Sequence, residues 1–423
     1  MTKISQHDKD ILRDLAKRQY EHATSEGNRK LKEEWVAHND CRGERPMVHV
    51  ELWTFGQEVV PPLLKCEGDE ARAIEAGVYS EFINRELFGD DFPVRDYIPV
   101  HYEAGIVHYG LEISRTHAEA SDGNQLGHRF NYHINDLEAD FHKLGPSQIR
   151  FAGKAKAESK VKERIEMIGD LVGDIIQPKP SGHSFGVSPT QNIVHIMGME
   201  TMFMSMYDYP DLFHKMMRQF ADDTIEFFRF MEKENLLLPT TANESLAQGS
   251  WCFTEELPSE PKDGTLKSTS LWGYMDSQET VGLSPEMFGE FIFPYYKDIA
   301  ENFGLLSYGC CEPVHSIWDD YLSQLTNIRK VSVSPWCDEP EMAEKLAGKK
   351  IIYHRKPSPN FLGTSGSLDE NAVREHIRPS IIEAKKNGLK LEISQRDVYT
   401  IDNDVSRVKR YIEIIREEIA SNW

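Results

Sequence analysis

From residue 284 onward the sequence alternates helix-like and strand-like segments, joined by connections short enough for parallel βα units. Ser284-Pro285-Glu286 opens the run as a helix cap followed by proline at the first helical position. After that helix, predicted over 284–302, strands and helices alternate to residue 421. The strands fall at 305–309, 328–334, 350–354 and 390–394, with helices at 340–347, 370–387 and 404–421. Buried runs such as Val331-Ser332-Val333 suit a parallel sheet covered on both faces. Upstream, further strands are expected at 47–53, 96–100, 174–177 and 236–241, with a helix at 211–234. Repeated βα units over 423 residues favour an α/β fold, a (β/α)8 TIM barrel, over an open sheet. Residues 6–38 are rich in helix formers and charges. The chain therefore divides into an N-terminal helical extension, 1–45, and a barrel, 46–423. Residues 249–267, rich in Glu, Pro, Ser and Gly, are expected as a surface loop over the barrel mouth.

Charge excludes some partners. The 48 Lys and Arg against 69 Asp and Glu leave a net charge of −21, which opposes binding to nucleic-acid phosphates or to an anionic membrane. No run of apolar residues is long enough for a membrane span, and the N-terminus lacks an apolar signal core. Six cysteines in so long a chain do not make a disulfide framework, so a reduced, cytoplasmic protein is expected.

In a barrel, chemistry belongs at the C-terminal ends of strands. Cys310-Cys311-Glu312-Pro313, with His315 close behind, stands at one such end, after the apolar run 303–309. Cys and His are soft zinc ligands and carboxylate is an acceptable partner, while the spacing matches no zinc finger. On an extended chain neighbouring cysteines point to opposite sides, so both serve one ion only if the chain turns sharply there. Glu392, between Leu391 and Ile393, points into the barrel, where a carboxylate needs a cation or a hydrogen-bond donor. Cys310, Cys311 and Glu392 are therefore the candidate metal ligands. Glu244, His315 and Asp397 are further polar candidates near strand ends, with blander alternatives. Glu244 can pair with Arg355, His315 can pack on a helix surface, and Asp397 can cap a turn. Cys337 serves equally well as a small buried hydrophobe. The chain has no phosphate loop, dinucleotide fingerprint or nucleophile elbow. Glycoside hydrolysis by two carboxylates would leave the cysteine pair unexplained.

Several segments together resemble the uroporphyrinogen decarboxylase-like superfamily, over most of the chain. They are Trp35-Val36-Ala37-His38-Asn39 before Arg45-Pro46, Leu271-Trp272-Gly273 with Gln278-Glu279, and Ser284-Pro285-Glu286-Met287-Phe288. Tyr308-Gly309-Cys310-Cys311-Glu312-Pro313, Ser334-Pro335-Trp336, Arg355-Lys356-Pro357-Ser358-Pro359 and Glu392-Ile393-Ser394-Gln395-Arg396-Asp397 complete the set. The family's decarboxylases carry an Arg-containing segment after the first strand, where this chain has Thr54-Phe55-Gly56-Gln57-Glu58. Its methyltransferases hold zinc by a His-x-Cys and a later Cys. Here Tyr308 stands for the His, Cys310 matches the Cys, and the last strand offers Glu392 and Asp397.

The resemblance implies a (β/α)8 enzyme using zinc to move a methyl group from a small methylated substrate, an O-methyl ether by preference. The acceptor would be cob(I)alamin, cobalamin carried by a separate corrinoid protein. His315, Asp397 or Glu244 would protonate the leaving group. A homodimer is also implied. The rival enzyme is a metal-dependent decarboxylase or lyase on the same barrel. The non-enzyme alternative is a binding protein that keeps the scaffold alone.

Overall fold

The computed structural model describes residues 4–117, 127–182, 184–261, 264–364 and 366–423. Its helices begin where short polar side chains satisfy free backbone N–H groups. Ser5 caps α1 (Gln6–Thr24) and Ser25 caps α2 (Glu26–Asn39). Strand β1 (Met47–Val50) follows, then α3 (Asp69–Ser80), β2 (Tyr97–Val100), β3 (Gln177–Pro180), β4 (Phe185–Val187) and the long α4 (Pro210–Lys233). The last third runs β5 (Trp272–Met275), α5 (Pro285–Phe291), α6 (Phe293–Ala300), β6 (Leu305–Tyr308), β7 (Ile328–Val333) and α7 (Glu339–Leu346). It closes with β8 (Ile352–Arg355), α8 (Glu370–Lys386), β9 (Lys390–Gln395) and α9 (Val405–Asn422).

Seven strands form one wholly parallel sheet in the order β1-β9-β8-β7-β6-β5-β4. A parallel sheet between helices is compatible with an α/β barrel. Among the described residues no ladder joins its edges, β1 and β4, and β2 pairs with β3 alone. The N-terminal helices share the apolar core of the sheet: Leu12, Leu31 and Trp35 join the same cluster as Val331 and Ile393. No described helix is long and apolar enough to cross a membrane.

Several expectations are corrected by local chemistry. The helix over 284–302 is two helices broken at Ile292, because Pro294 lacks an N–H and its ring collides with the preceding turn. Residues 236–241 join no ladder, and Pro239 in their middle withholds a donor. The strand expected at 174–177 lies later, as β3, and β4 and β5 were not anticipated. In β5, glycine is required: a Cβ on Gly273 would stand 2.2 Å from the Phe303 ring. Residues 250–254 of the expected surface loop are buried, and residues 262 and 263 lie outside the described residues.

Alternation along the strands sorts side chains by face. In β7, Val331 and Val333 join the apolar core, while Lys330 and Ser332 take the other face. In β9, Leu391 and Ile393 alternate with Glu392 and Ser394 in the same way. The segment 248–252 lies against this polar face. Ser250 Oγ accepts from Lys330 Nζ at 2.5 Å, Gly249 O accepts from Ser394 Oγ at 2.8 Å, and Gln248 O accepts from Lys356 Nζ.

Candidate active site

Strand β6 is followed by Gly309, whose φ of +98° is the left-handed turn that the cysteine pair requires. The turn brings the two sulfurs to 3.6 Å. Three bonds hold it. Glu312 accepts the Cys310 N–H and the Ser277 N–H, each at 2.8 Å, and Ser332 Oγ donates to Cys310 O at 2.8 Å. Burial, with Asp276 nearby, pushes the Glu312 carboxyl up to about 7, against the pull of those backbone N–H groups.

The thiols line a cavity of about 540 Å³ with Gln248, Tyr274, Asp276, Lys356, Arg396 and Asp397. A polar chain crosses it. Arg396 Nη1 lies 3.4 Å from Cys310 Sγ and also bonds Gln248 Oε1. Gln248 Nε2 donates to the Tyr274 hydroxyl at 2.7 Å, and that hydroxyl donates to Asp276 at 2.6 Å. Arg396 Nε is anchored on Glu51 at 3.1 Å. The thiols titrate together. Cys310 donates its S–H to Cys311, which lowers the Cys311 thiol below the ordinary range and raises that of Cys310. Burial first, then Arg396, pushes Lys356 down to about 7.

Of the six residues singled out by sequence, Cys310, Cys311 and Asp397 face this cavity. The other three lie elsewhere. Glu392 is fully buried with Lys330 Nζ at 2.7 Å, His38 at 3.4 Å and His354 at 3.3 Å. Burial alone would raise its carboxyl, yet the basic groups hold it well below the usual range. Burial pushes His38, His354 and Lys330 all down from their ordinary values, and Lys330 makes the shortest contact with the carboxylate. Glu244 accepts from Tyr97 Oη at 3.0 Å and Ser181 Oγ at 3.4 Å, and Arg355 pairs instead with Glu339 at 2.8 Å. His315 Nδ1 accepts the Asp338 N–H at 3.3 Å, on a partly exposed helical turn. Cys337 is buried against Ser334 and the Glu312 carbonyl. Sequence reasoning missed Asp276, Lys356 and Arg396. Each stands one residue past a strand, so the strand-end rule applied evenly would have found them.

Zinc is tested against this geometry. Two thiolates on one tetrahedral zinc, each at about 2.3 Å, stand about 3.8 Å apart, close to the spacing found. The count falls short. Among the described residues no three His, Cys, Asp or Glu side chains gather as a metal cluster, and Arg396 occupies the space beside Cys310. A catalytic zinc takes three protein ligands, so the residues as arranged do not fit a complete site.

Fold and site together define a parallel α/β protein with a thiol-lined cavity at the strand ends. Its fold is similar to that of a methyltransferase from Methanosarcina mazei, with a TM-score of 0.50 and 13% identity over 92% of this chain and 98% of that one. At that identity the likeness is one of fold. No family model and no curated protein matches the sequence.

Proposed function

We propose that the chain is a methyltransferase that takes a methyl group from a small methylated donor, with an O-methyl ether preferred, and passes it to an acceptor carried by a separate protein. One observation carries this reading: the thiol cavity opens beneath three exposed aromatic side chains. Trp53 is 69% exposed, Trp336 63% and Tyr399 54%, and all three line the cavity. Exposed Trp and Tyr around an opening suit a docking partner. In keeping with the resemblance, that partner would be a corrinoid protein, and its cob(I)alamin would supply the nucleophile that takes the methyl group. The donor's heteroatom keeps the broken bond's electrons and takes a proton. Asp397, Arg396 and Tyr274 line the cavity; in this reading Asp397 would supply that proton, and Arg396 and Tyr274 would orient the donor. The Cys310–Cys311 pair would supply two ligands to zinc. With the third ungathered, no step is assigned to a metal.

Arg396 and Lys356 on one wall favour a second reading, in which the substrate is a carboxylate and the enzyme a lyase or decarboxylase. One experiment separates the two. Purified reduced protein is mixed with cob(I)alamin and a panel of methylated donors, following the methyl-cobalt absorbance, with metal content measured on the same sample. Methyl transfer that is lost in Cys311→Ser and Asp397→Asn supports the first reading. Product formed with no acceptor present moves the function to the lyase.

A further inference from the structure

A second cavity, of about 610 Å³, adjoins the first at Trp53 and the Gln248–Gly249 backbone. Its wall is largely apolar and aromatic, with Trp53, Val60, Leu64, Phe92 and Trp251 among its residues. Phe92 and Trp251 meet edge to face at 5.0 Å, and each lies within about one ring of His49, at 5.8 and 6.0 Å. Glu51 also lines the cavity but is already paired with Arg396 at 3.1 Å. His49 is the remaining ionisable group of the wall.

The His49 ring is set by a built support. Its Nδ1 lies 2.9 Å from Asp90 Oδ2, and Asp90 is fully buried. The same carboxylate accepts the Val50 N–H at 3.0 Å, the Asn84 amide at 3.0 Å and the Phe92 N–H at 3.2 Å. With those donors turned toward it, the carboxylate acts as acceptor, so the proton of the pair sits on Nδ1. That sets the ring's orientation and, in the neutral imidazole, leaves the Nε2 lone pair free. Among the described residues Nε2 makes no hydrogen bond. Gly249, at φ +70°, lies along that edge of the ring, where a Cβ would make an ordinary contact with Cδ2 at 3.5 Å. A histidine oriented by a buried carboxylate, at a strand end and facing an aromatic cavity, is arranged for proton transfer.

We propose that this cavity binds a ring-sized apolar molecule bearing one acidic hydroxyl, a phenol, and that His49 accepts and returns the hydroxyl proton. The aromatic wall takes the ring, and the single free imidazole nitrogen takes the hydroxyl. On transfer the O–H bond breaks toward oxygen, giving a phenolate and a His49 imidazolium stabilised by Asp90. The site stands independently of methyl transfer.

The test uses 4-nitrophenol, whose phenolate absorbs in the visible, titrated into the whole protein at mildly acidic pH with no methyl acceptor present. Saturable binding of one molecule per chain with a phenolate band is expected. His49→Phe keeps most of the binding and loses the band; His49→Gln is the second variant, with folding of each checked by circular dichroism. Ala76→Trp, which fills the cavity from α3, weakens binding by roughly tenfold or more. Absence of saturable binding, binding unchanged by Ala76→Trp, or a phenolate band that survives both His49 variants would overturn the proposal.

Discussion

Lys330→Met tests the electrostatics of the sheet interior. Lys330 and Glu392 are both wholly removed from solvent, 2.7 Å apart. Lys330 also donates to Ser250 at 2.5 Å and lies over Trp35 and Trp272, at 5.5 and 5.8 Å. Methionine keeps most of the packing but leaves Glu392 with only the two buried imidazoles beside it. An unpaired buried charge costs about 3–5 kcal/mol, with up to about 2 kcal/mol more from the lost cation–π contacts. A loss of roughly 4 kcal/mol at pH 7 is expected, read by urea unfolding followed by tryptophan fluorescence and circular dichroism. The pH dependence follows from the sign of the shift. The Glu392 carboxyl is held below its unfolded value, so its stabilisation is present above about pH 4.3 and fades as pH falls toward the folded value. In the variant the carboxyl rises and is protonated sooner, so the gap between the two proteins narrows in acid. Lys330→Met combined with Glu392→Leu should recover most of the loss, since removing both charges leaves neither unpaired. A single-variant cost under about 1 kcal/mol, or no recovery in the double variant, would refute the pairing.

Cys311 should alkylate with iodoacetamide at lower pH than a free thiol, and Cys310→Ala should move that limb upward by removing the S–H donor; peptide mass spectrometry reads both. Gly309→Ala strains a φ of +98° and brings a Cβ to 3.1 Å from Ser332, so the Cys311 limb should shift and stability drop by about 1–2 kcal/mol. Gly273→Ala drives a Cβ into the Phe303 ring and should cost about 1–3 kcal/mol in urea melts, with partial relief in Gly273→Ala/Phe303→Leu.

The parts of the fold legible in the sequence are those where local and tertiary demands agree. Strands β6 to β9 each set apolar side chains such as Leu306, Val331, Tyr353 and Ile393 into the core, and the helices after β7, β8 and β9 open on Asp338, Asp369 and Asp404, whose side chains cap them. Strands β4 and β5 were illegible because Gly186 and Gly273 sit within them, and glycine in a strand is chosen for close approach that only the packed structure reveals. The cysteine pair and Asp397 were legible because they stand past strand ends. The His49–Asp90 pair was not, since 41 residues separate its members and only the loop returning to β1 joins them.

Glu392 shows what alternation alone cannot supply. Period-two patterning gives the face a residue points to, but not its depth along the strand. Glu392, Ser394 and Arg396 share one face, and at about 3.3 Å per residue Glu392 lies about 13 Å below Arg396. That depth is filled. Lys330, His354, Ser394 and the segment Gln248–Ser250 occupy the interior through bonds to one another. A ligand entering from the thiol cavity therefore meets Arg396, Lys356 and Gln248, and goes no deeper. Chemistry is confined to residues at or just past the strand ends. Glu51–Arg396 and Gln248–Gly249 then form the thin wall between the thiol cavity and the histidine cavity. A shift of the Arg396 side chain would open a path between them and take a cation away from both thiols, so Arg396→Ala should move the iodoacetamide limb of the Cys310–Cys311 pair to higher pH while Cys337, buried against Ser334, stays unreactive.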